Sequence, residues 1–236
     1  LLVRGLMSRS EALNLADEID RSFSQCDLAL AGEPWDRFLY DPFEPAAGFE
    51  ISNRSWVREG GGVLAVDSPR VALLMLEAFG EAGLPELVTG YLGEPALLSA
   101  QKTTLRRAEP QVVGAWHQDG AFMGEVRSLN LWLSLSRCGD ESPGLDLVPR
   151  RLDELVPMGT EGTFLKHQVS QAVAEEAAGG RQIIRPIFEP GDALFFDELF
   201  LHQTGSDPSM PKPRYAIESW FFGASAFPKQ YAPLAV

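Results

Sequence analysis

The sequence predicts a mainly β domain with flanking helices, whose core is a jelly-roll. Apolar residues recur at helical spacing over the first part of the chain and with a period of two from about residue 96 onward. The helical and strand patterns do not alternate as they do in a parallel α/β sheet. A chain of 236 residues is long enough for one well-buried core. We therefore predict a single domain over 1–236, with a helical part at about 1–95 and a jelly-roll core at about 96–225.

Three helices are predicted in the N-terminal part. Ser8 and Glu11 have the spacing of a capping box, and the apolar residues that follow predict a helix over about 9–24. Pro69 favours the first turn of a second helix, and a third, shorter helix reaches about Leu92.

The segment 31–62, rich in proline and glycine, has two interpretations. It is either a long connecting region or a lid or substrate-facing wall, because long loops often cover active sites. The sequence leaves both open.

Strand patterns dominate the second half of the chain. The run 129–135 alternates leucine with Asn130, Trp132 and Ser134, which predicts a core strand with one wet or ligand-facing side. A second strand is predicted to end at His202. Further strand patterns begin at Ala96, Ile183 and Arg214, a turn-rich link is predicted over 139–149, and a short helix over 170–178.

Composition excludes several classes of partner. The formal net charge of −13 and a pI near 4.7 argue against nucleic acid or an anionic membrane, which need basic patches. Cys26 and Cys138 lack the spacing of a disulfide framework or a metal site, so we expect free thiols in a reducing compartment. With neither a signal peptide nor a long apolar stretch, a cytoplasmic location is expected.

A histidine and a carboxylate lie two residues apart in Trp116-His117-Gln118-Asp119-Gly120. In an extended segment both side chains point to the same side, and a second imidazole from His202 would complete two nitrogens and one oxygen around a metal. This is the facial triad of non-heme Fe(II) oxygenases. Arg214 offers a charged fork suited to a carboxylate and converges on the triad if its strand pairs with that of His202.

These motifs together resemble the phytanoyl-CoA dioxygenase family of Fe(II)- and 2-oxoglutarate-dependent oxygenases. The resemblance covers about residues 101–222. It rests on Trp116 to Gly120, Leu129 to Leu135, Ser142 to Leu145 with Val148-Pro149, Gly191 to Thr204, and Arg214. It implies a double-stranded β-helix, a cupin-like jelly-roll with a metal at one open end.

The resemblance also assigns roles to residues. The implied metal ligands and catalytic residues are His117, Asp119 and His202. Arg214 is implied to bind the far carboxylate of 2-oxoglutarate, with the Thr204 hydroxyl beside it, and Gln101 and Trp132 to line the same pocket. The implied cofactors are Fe(II), 2-oxoglutarate and O₂.

The implied reaction is oxidation of a C–H bond of a small organic molecule, with release of succinate and CO₂. Halogenating relatives have a small residue in place of the acidic ligand, so Asp119 favours hydroxylation or a related oxidation such as desaturation. Two alternatives stay open: a cupin-like metalloenzyme that does not use 2-oxoglutarate, and a non-catalytic small-molecule-binding jelly-roll. The sequence determines neither the substrate nor the oligomeric state.

Other polar residues are predicted to have structural rather than catalytic roles. His167 is predicted to lie in a surface loop, and Arg106-Arg107 and Arg150-Arg151 to form ordinary ion pairs rather than grip a substrate. Glu218 follows Arg214 by four residues and is either its partner or a substrate contact.

Overall fold

The computed structural model of the chain describes residues 1–49, 51–111, 114–123, 126–163 and 165–235. The helices are α1 (Arg9–Ala31), α2 (Arg54–Glu59), α3 (Pro69–Glu81), α4 (Leu84–Leu92), α5 (Gly120–Met123) and α6 (Gln171–Ala178). The strands are β1 (Leu2–Val3), β2 (Gly62–Leu64), β3 (Ala96–Ser99), β4 (Thr104–Ala108), β5 (Ser128–Ser134), β6 (Gly144–Leu147), β7 (Ala193–Phe196), β8 (His202–Gly205), β9 (Arg214–Gly223) and β10 (Pro233–Ala235).

The capping box at the start of α1 is confirmed. Ser8 Oγ accepts a hydrogen bond from the Glu11 backbone N–H at 3.2 Å, and the Ser8 N–H donates to the Glu11 carboxylate at 2.9 Å. The helix continues beyond the predicted end at residue 24 to Ala31, because nothing before Gly32 interrupts it. Gly32 adopts a left-handed conformation with φ of 74°, which few other residues tolerate, and ends the helix.

The large sheet is organised around β9. One edge of β9 pairs with β5 over its length, and the other edge pairs first with β4 and then with β3. The strand pattern predicted from residue 96 is therefore split in two. A short 3₁₀ turn over Ala100–Lys102 separates β3 from β4 and lets both lie against the same long strand.

The small sheet corrects three predictions. The segment 139–149, predicted as a link, contains β6, which pairs with β8. The strand predicted to start at Ile183 is not formed among the described residues. Its segment makes only isolated bridges, such as that between Ile184 and Leu147. His202 begins β8 instead of ending the preceding strand, because the Asp197 carboxylate and carbonyl accept hydrogen bonds that form a turn before it.

The strands of His202 and Arg214 do not pair. β8 belongs to the small sheet and β9 to the large one, so the two residues lie on different sheets and share no ladder.

The two faces of the large sheet have different neighbours. The leucines of β5 pack against α1, α3 and α4 in the main apolar cluster, together with Ile217 and Phe221 of β9. The opposite face carries Trp132 and Ala216, which pack with Leu145 and Leu147 of the small sheet. The predicted class, a mainly β jelly-roll with flanking helices, is confirmed. The inner face between the sheets is where the polar residues of β5 point.

Several described residues of the segment 31–62 contact the helical part of the chain. Arg58 pairs with Asp27 of α1 at 2.6 Å, and Arg54 pairs with the buried Asp67 carboxylate at 2.7 Å. Trp35 donates to the Tyr40 carbonyl within the segment itself. These contacts favour the connecting-region interpretation. Within the described part of the chain, none of the helices has the length and apolarity that a membrane crossing requires.

Candidate metal centre

The structure brings His117, Asp119 and His202 together. One ligand atom from each lies within 4.8 Å of the others. The two histidines form a mutual backbone bridge, with N–H to carbonyl distances of 3.0 and 3.1 Å, which places their rings 4.4 Å apart. Of the two residues His117 and Asp119, only His117 is in extended conformation, because Asp119 already lies in the turn that begins α5. The group joins the small sheet to that turn.

Both imidazoles present the same nitrogen to the centre. His117 Nδ1 lies 2.7 Å from the Ala115 carbonyl, and His202 Nδ1 lies 3.0 Å from the Phe200 carbonyl. A carbonyl can only accept, so each Nδ1 carries the proton and each Nε2 keeps a free lone pair. Burial, and next the neighbouring His202, lower the pKa of His117. The neutral form that binds metals is therefore favoured at neutral pH.

Asn130 holds the carboxylate of Asp119. Its side-chain amide donates to Asp119 Oδ2, and its own oxygen accepts from the Ser128 hydroxyl at 2.9 Å. The other carboxylate oxygen, Oδ1, lies 3.6 Å from His117 Nε2. Asp119 can thus offer one oxygen to a metal while Asn130 fixes the other. The sequence showed Asn130 only as a polar residue on the inner side of β5.

We expect Asn130→Ala to weaken Fe(II) binding about 10- to 100-fold, because removing a hydrogen-bond partner of a ligand typically has this effect. Anaerobic calorimetric titration measures it. Ser134→Ala is the matched control, since Ser134 lies on the same face of β5 but bonds to the Ser136 carbonyl. Equal affinity in the Asn130 variant and the control would show that Asn130 does not position Asp119.

Arg214 lies buried between the two sheets, and one of its hydrogen-bond donors has no acceptor among the described residues. Its side chain is 1% exposed, one terminal nitrogen donates to the Gly144 carbonyl at 3.1 Å, and its guanidinium lies 5.3 Å from the centre of the Trp132 ring. Among the described residues, no acceptor meets Arg214 Nε or Trp132 Nε1. A buried donor without an acceptor is costly, so the pair fits a ligand that brings a carboxylate.

Glu218 does not neutralise Arg214 directly. Its carboxylate bonds to Arg106 Nε at 2.8 Å. Burial raises the pKa of Glu218, but Arg106 and Arg214 outweigh that effect, so the pKa lies below its ordinary value. The ion-pair interpretation of Arg106 holds, and Glu218 is the partner of Arg106.

The two remaining predicted residues have different surroundings. Thr204 follows His202 by two residues on β8 and so faces the same side of that strand. The Gln101 amide oxygen accepts from the Ala232 N–H at 2.9 Å, and its nitrogen donates to the Gln230 carbonyl at 3.2 Å. Gln101 therefore anchors the segment that carries Tyr231.

Several residues beside the metal centre were missed or discounted. The rings of Phe122, Trp220 and Tyr231, called here the aromatic wall, surround the ammonium group of Lys102. His167 packs on the Phe122 ring at 4.6 Å, so it lies closer to the centre than a surface loop implies. Because side chains alternate along a strand, the sequence could have predicted that Trp220 lies on the same face of β9 as Arg214. Nothing in the sequence links Tyr231 to that face.

Comparison with known proteins gives structural but no sequence matches. No family model matches the chain, and no curated protein is significantly similar in sequence. EctD from S. alaskensis with bound Fe superimposes with a TM-score of 0.62 at 17% identity, covering 96% of this chain and 73% of EctD. AviO1 from Streptomyces viridochromogenes Tue57 superimposes with a TM-score of 0.59 at 17% identity, covering 96% of this chain and 90% of AviO1. The chain shares their fold.

A further neighbour differs in reaction type. SnoN is a non-heme alpha ketoglutarate dependent epimerase from nogalamycin biosynthesis. In its complex with Fe3+, alpha ketoglutarate and nogalamycin RO it gives a TM-score of 0.53 at 16% identity, covering 95% of this chain and 78% of SnoN. EctD has been crystallised with 2-oxoglutarate and 5-hydroxyectoine. These superpositions establish the jelly-roll fold. At such low sequence identity they do not establish the activity, which is argued below from the site.

Proposed function

We propose that the chain is a non-heme Fe(II)- and 2-oxoglutarate-dependent dioxygenase that oxidises a C–H bond of a small organic molecule. This proposal rests on two features that occur together in the interior between the two sheets. His117, Asp119 and His202 converge as a metal-binding group, and the buried Arg214 has an unmet donor beside Trp132.

His117, Asp119 and His202 would hold Fe(II) on one face and leave adjacent positions open. With 2-oxoglutarate and O₂ bound, the iron supplies an oxidant strong enough for an unactivated C–H bond, and succinate and CO₂ are released. The backbone carbonyls of Ala115 and Phe200 accept from Nδ1 of the two rings, which would leave both Nε2 atoms free to bind the metal. Asn130 leaves Asp119 one oxygen for coordination.

Arg214 and Trp132 would receive the far carboxylate of 2-oxoglutarate. The guanidinium gives a charged, directional fork, and the indole N–H adds a second donor in a site from which water is excluded. Thr204 and Gln101 are assigned to the same pocket on the resemblance alone. Membership of the phytanoyl-CoA dioxygenase family is likewise our proposal, supported by the motifs between residues 101 and 222.

The finer reaction type is hydroxylation or desaturation. The structural neighbours include an epimerase, so the fold is compatible with other outcomes. Asp119 is the residue that favours hydroxylation over halogenation, because its carboxylate fills the position where halide would bind. The buried Arg214, whose Nε meets no acceptor among the described residues, favours a carboxylate-bearing co-substrate over a metalloenzyme that does not use 2-oxoglutarate.

Substrate-stimulated conversion of 2-oxoglutarate to succinate tests the proposal. The wild-type chain with Fe(II) is screened against a metabolite panel, and Asp119→Ala serves as the inactive control. We expect at least one compound to raise succinate release in the wild type only. Equal release by both proteins across the panel would contradict the proposed activity.

A further inference from the structure

We propose that Lys102 binds a carboxylate of the substrate, so that this enzyme acts on a small organic acid whose carbon skeleton packs against the aromatic wall. This inference rests on the proposed function, because it names the substrate class of the same site. It starts from the ammonium group of Lys102, which the reaction described above does not use.

The Lys102 ammonium is held by rings and not by a counter-ion. Its nitrogen lies 4.9 Å from the centre of the Trp220 ring, 5.4 Å from that of Tyr231 and 5.8 Å from that of Phe122. Ring faces attract a cation but do not satisfy its three N–H donors as an acceptor would. Among the described residues, no carboxylate lies within ion-pair distance of Lys102.

The position of Lys102 is that of a substrate contact. The Phe122 ring lies edge-on to His117 at 6.1 Å, so the ammonium and the metal centre share one wall. Burial lowers the pKa of Lys102 below its ordinary value, and the negative charge of Asp119 opposes this only in part. The residue is half-buried, so it lies neither in the apolar core nor fully in solvent.

Lys102 and Arg214 lie at opposite ends of the inner face. Arg214 begins β9, and Trp220 lies on the same face about 20 Å further along an extended strand. Asn130, which holds Asp119, pairs with Trp220. The metal centre therefore has Arg214 on the side of the proposed co-substrate pocket and Lys102 on the side of the aromatic wall, which assigns the two cations to two different anions.

The charge balance favours a single carboxylate over a phosphate. Arg106, a second cation whose charge acts on Lys102, is already paired with Glu218. One ammonium neutralises one negative charge, whereas a phosphate dianion would keep an uncompensated charge in a partly desolvated site.

Binding of small aromatic and alicyclic acids tests the inference independently of turnover. The probes are phenylacetate, benzoate and cyclohexanecarboxylate, each compared with its own amide, and phenyl phosphate. Ligand-observed NMR titrations use the full chain, with and without Mn(II) and 2-oxoglutarate. We expect at least one acid to bind about 10- to 100-fold more tightly than its amide, the range for a hydrogen bond to a charged group.

The variants separate this role from a structural one. Lys102→Met should remove the preference for the acid while leaving 2-oxoglutarate affinity unchanged, and Lys102→Arg should restore it. Lys166→Met, which removes the same charge from an exposed position beside His167, should bind like the wild type.

Four results would overturn the inference. They are equal binding of every acid and its amide, a preference that survives in Lys102→Met, a loss of 2-oxoglutarate affinity in that variant as large as the loss of acid affinity, and tighter binding of phenyl phosphate than of the acids. Preferential acid binding by a chain that makes no succinate would contradict the proposed function and leave the carboxylate site standing.

Discussion

Replacing His117 or Asp119 by alanine is expected to abolish Fe(II) binding and succinate formation while the fold survives. Each residue supplies one third of a minimal ligand set, and no other histidine or acid of the described residues joins the cluster. Asp119 lies in a turn, and His117 keeps its backbone bridge to His202 when its ring is removed. We therefore expect both variants to stay folded, with a lower unfolding temperature for Asp119→Ala because the buried Asn130 amide loses its acceptor.

Anaerobic Fe(II) titration and a succinate assay measure this first prediction. Circular dichroism shows whether the fold is kept. His167→Ala is the matched control, because His167 packs near the centre without contributing to the ligand group. It should keep full iron affinity. Normal succinate production by either ligand variant would contradict the assignment of the metal centre.

Replacing Arg214 by alanine is expected to lower 2-oxoglutarate affinity by about two to three decades. The carboxylate would be left unpaired in a buried site, which costs roughly 3–5 kcal/mol, and each decade in affinity corresponds to about 1.4 kcal/mol. Fe(II) affinity should stay near the wild-type value, because Arg214 contacts Gly144 and Trp132 and none of the metal ligands.

Two further variants make this second prediction specific. Arg214→Lys keeps the charge but loses the directional fork, so we expect an intermediate affinity. Arg150→Ala removes an exposed arginine whose side chain donates to the Ala177 carbonyl, and this variant should bind 2-oxoglutarate normally. An unchanged affinity in a folded Arg214→Ala protein would remove Arg214 from its proposed role.

Local patterns in the sequence predicted much of this fold. The capping box at Ser8, Pro69 and the alternation along β5 each depend on neighbours within a few residues, and each is found where predicted. The strand position predicted for His202 was wrong. The sequence pattern joined it to the preceding strand, whereas the turn at Asp197 detaches it and places it opposite His117 in another sheet.

The residues that the sequence did not reveal depend on tertiary contacts. Asn130 was visible as a polar position on an inner face, but its bond to Asp119 requires α5 to lie against β5. Lys102 gains its position from the turn that separates β3 and β4, where period two had predicted a continuous strand. Tyr231 reaches the aromatic wall through the anchoring bonds of Gln101. The local sequence patterns contain no information about these contacts between distant segments.

The most direct measurement is an anaerobic titration of the chain with Fe(II) and 2-oxoglutarate, followed by visible absorption. Chelation of the iron by 2-oxoglutarate should give a weak charge-transfer band that needs both additions and is absent from His117→Ala. A wild-type protein that binds both without this band, or an equal band from His117→Ala, would contradict a shared iron and 2-oxoglutarate centre.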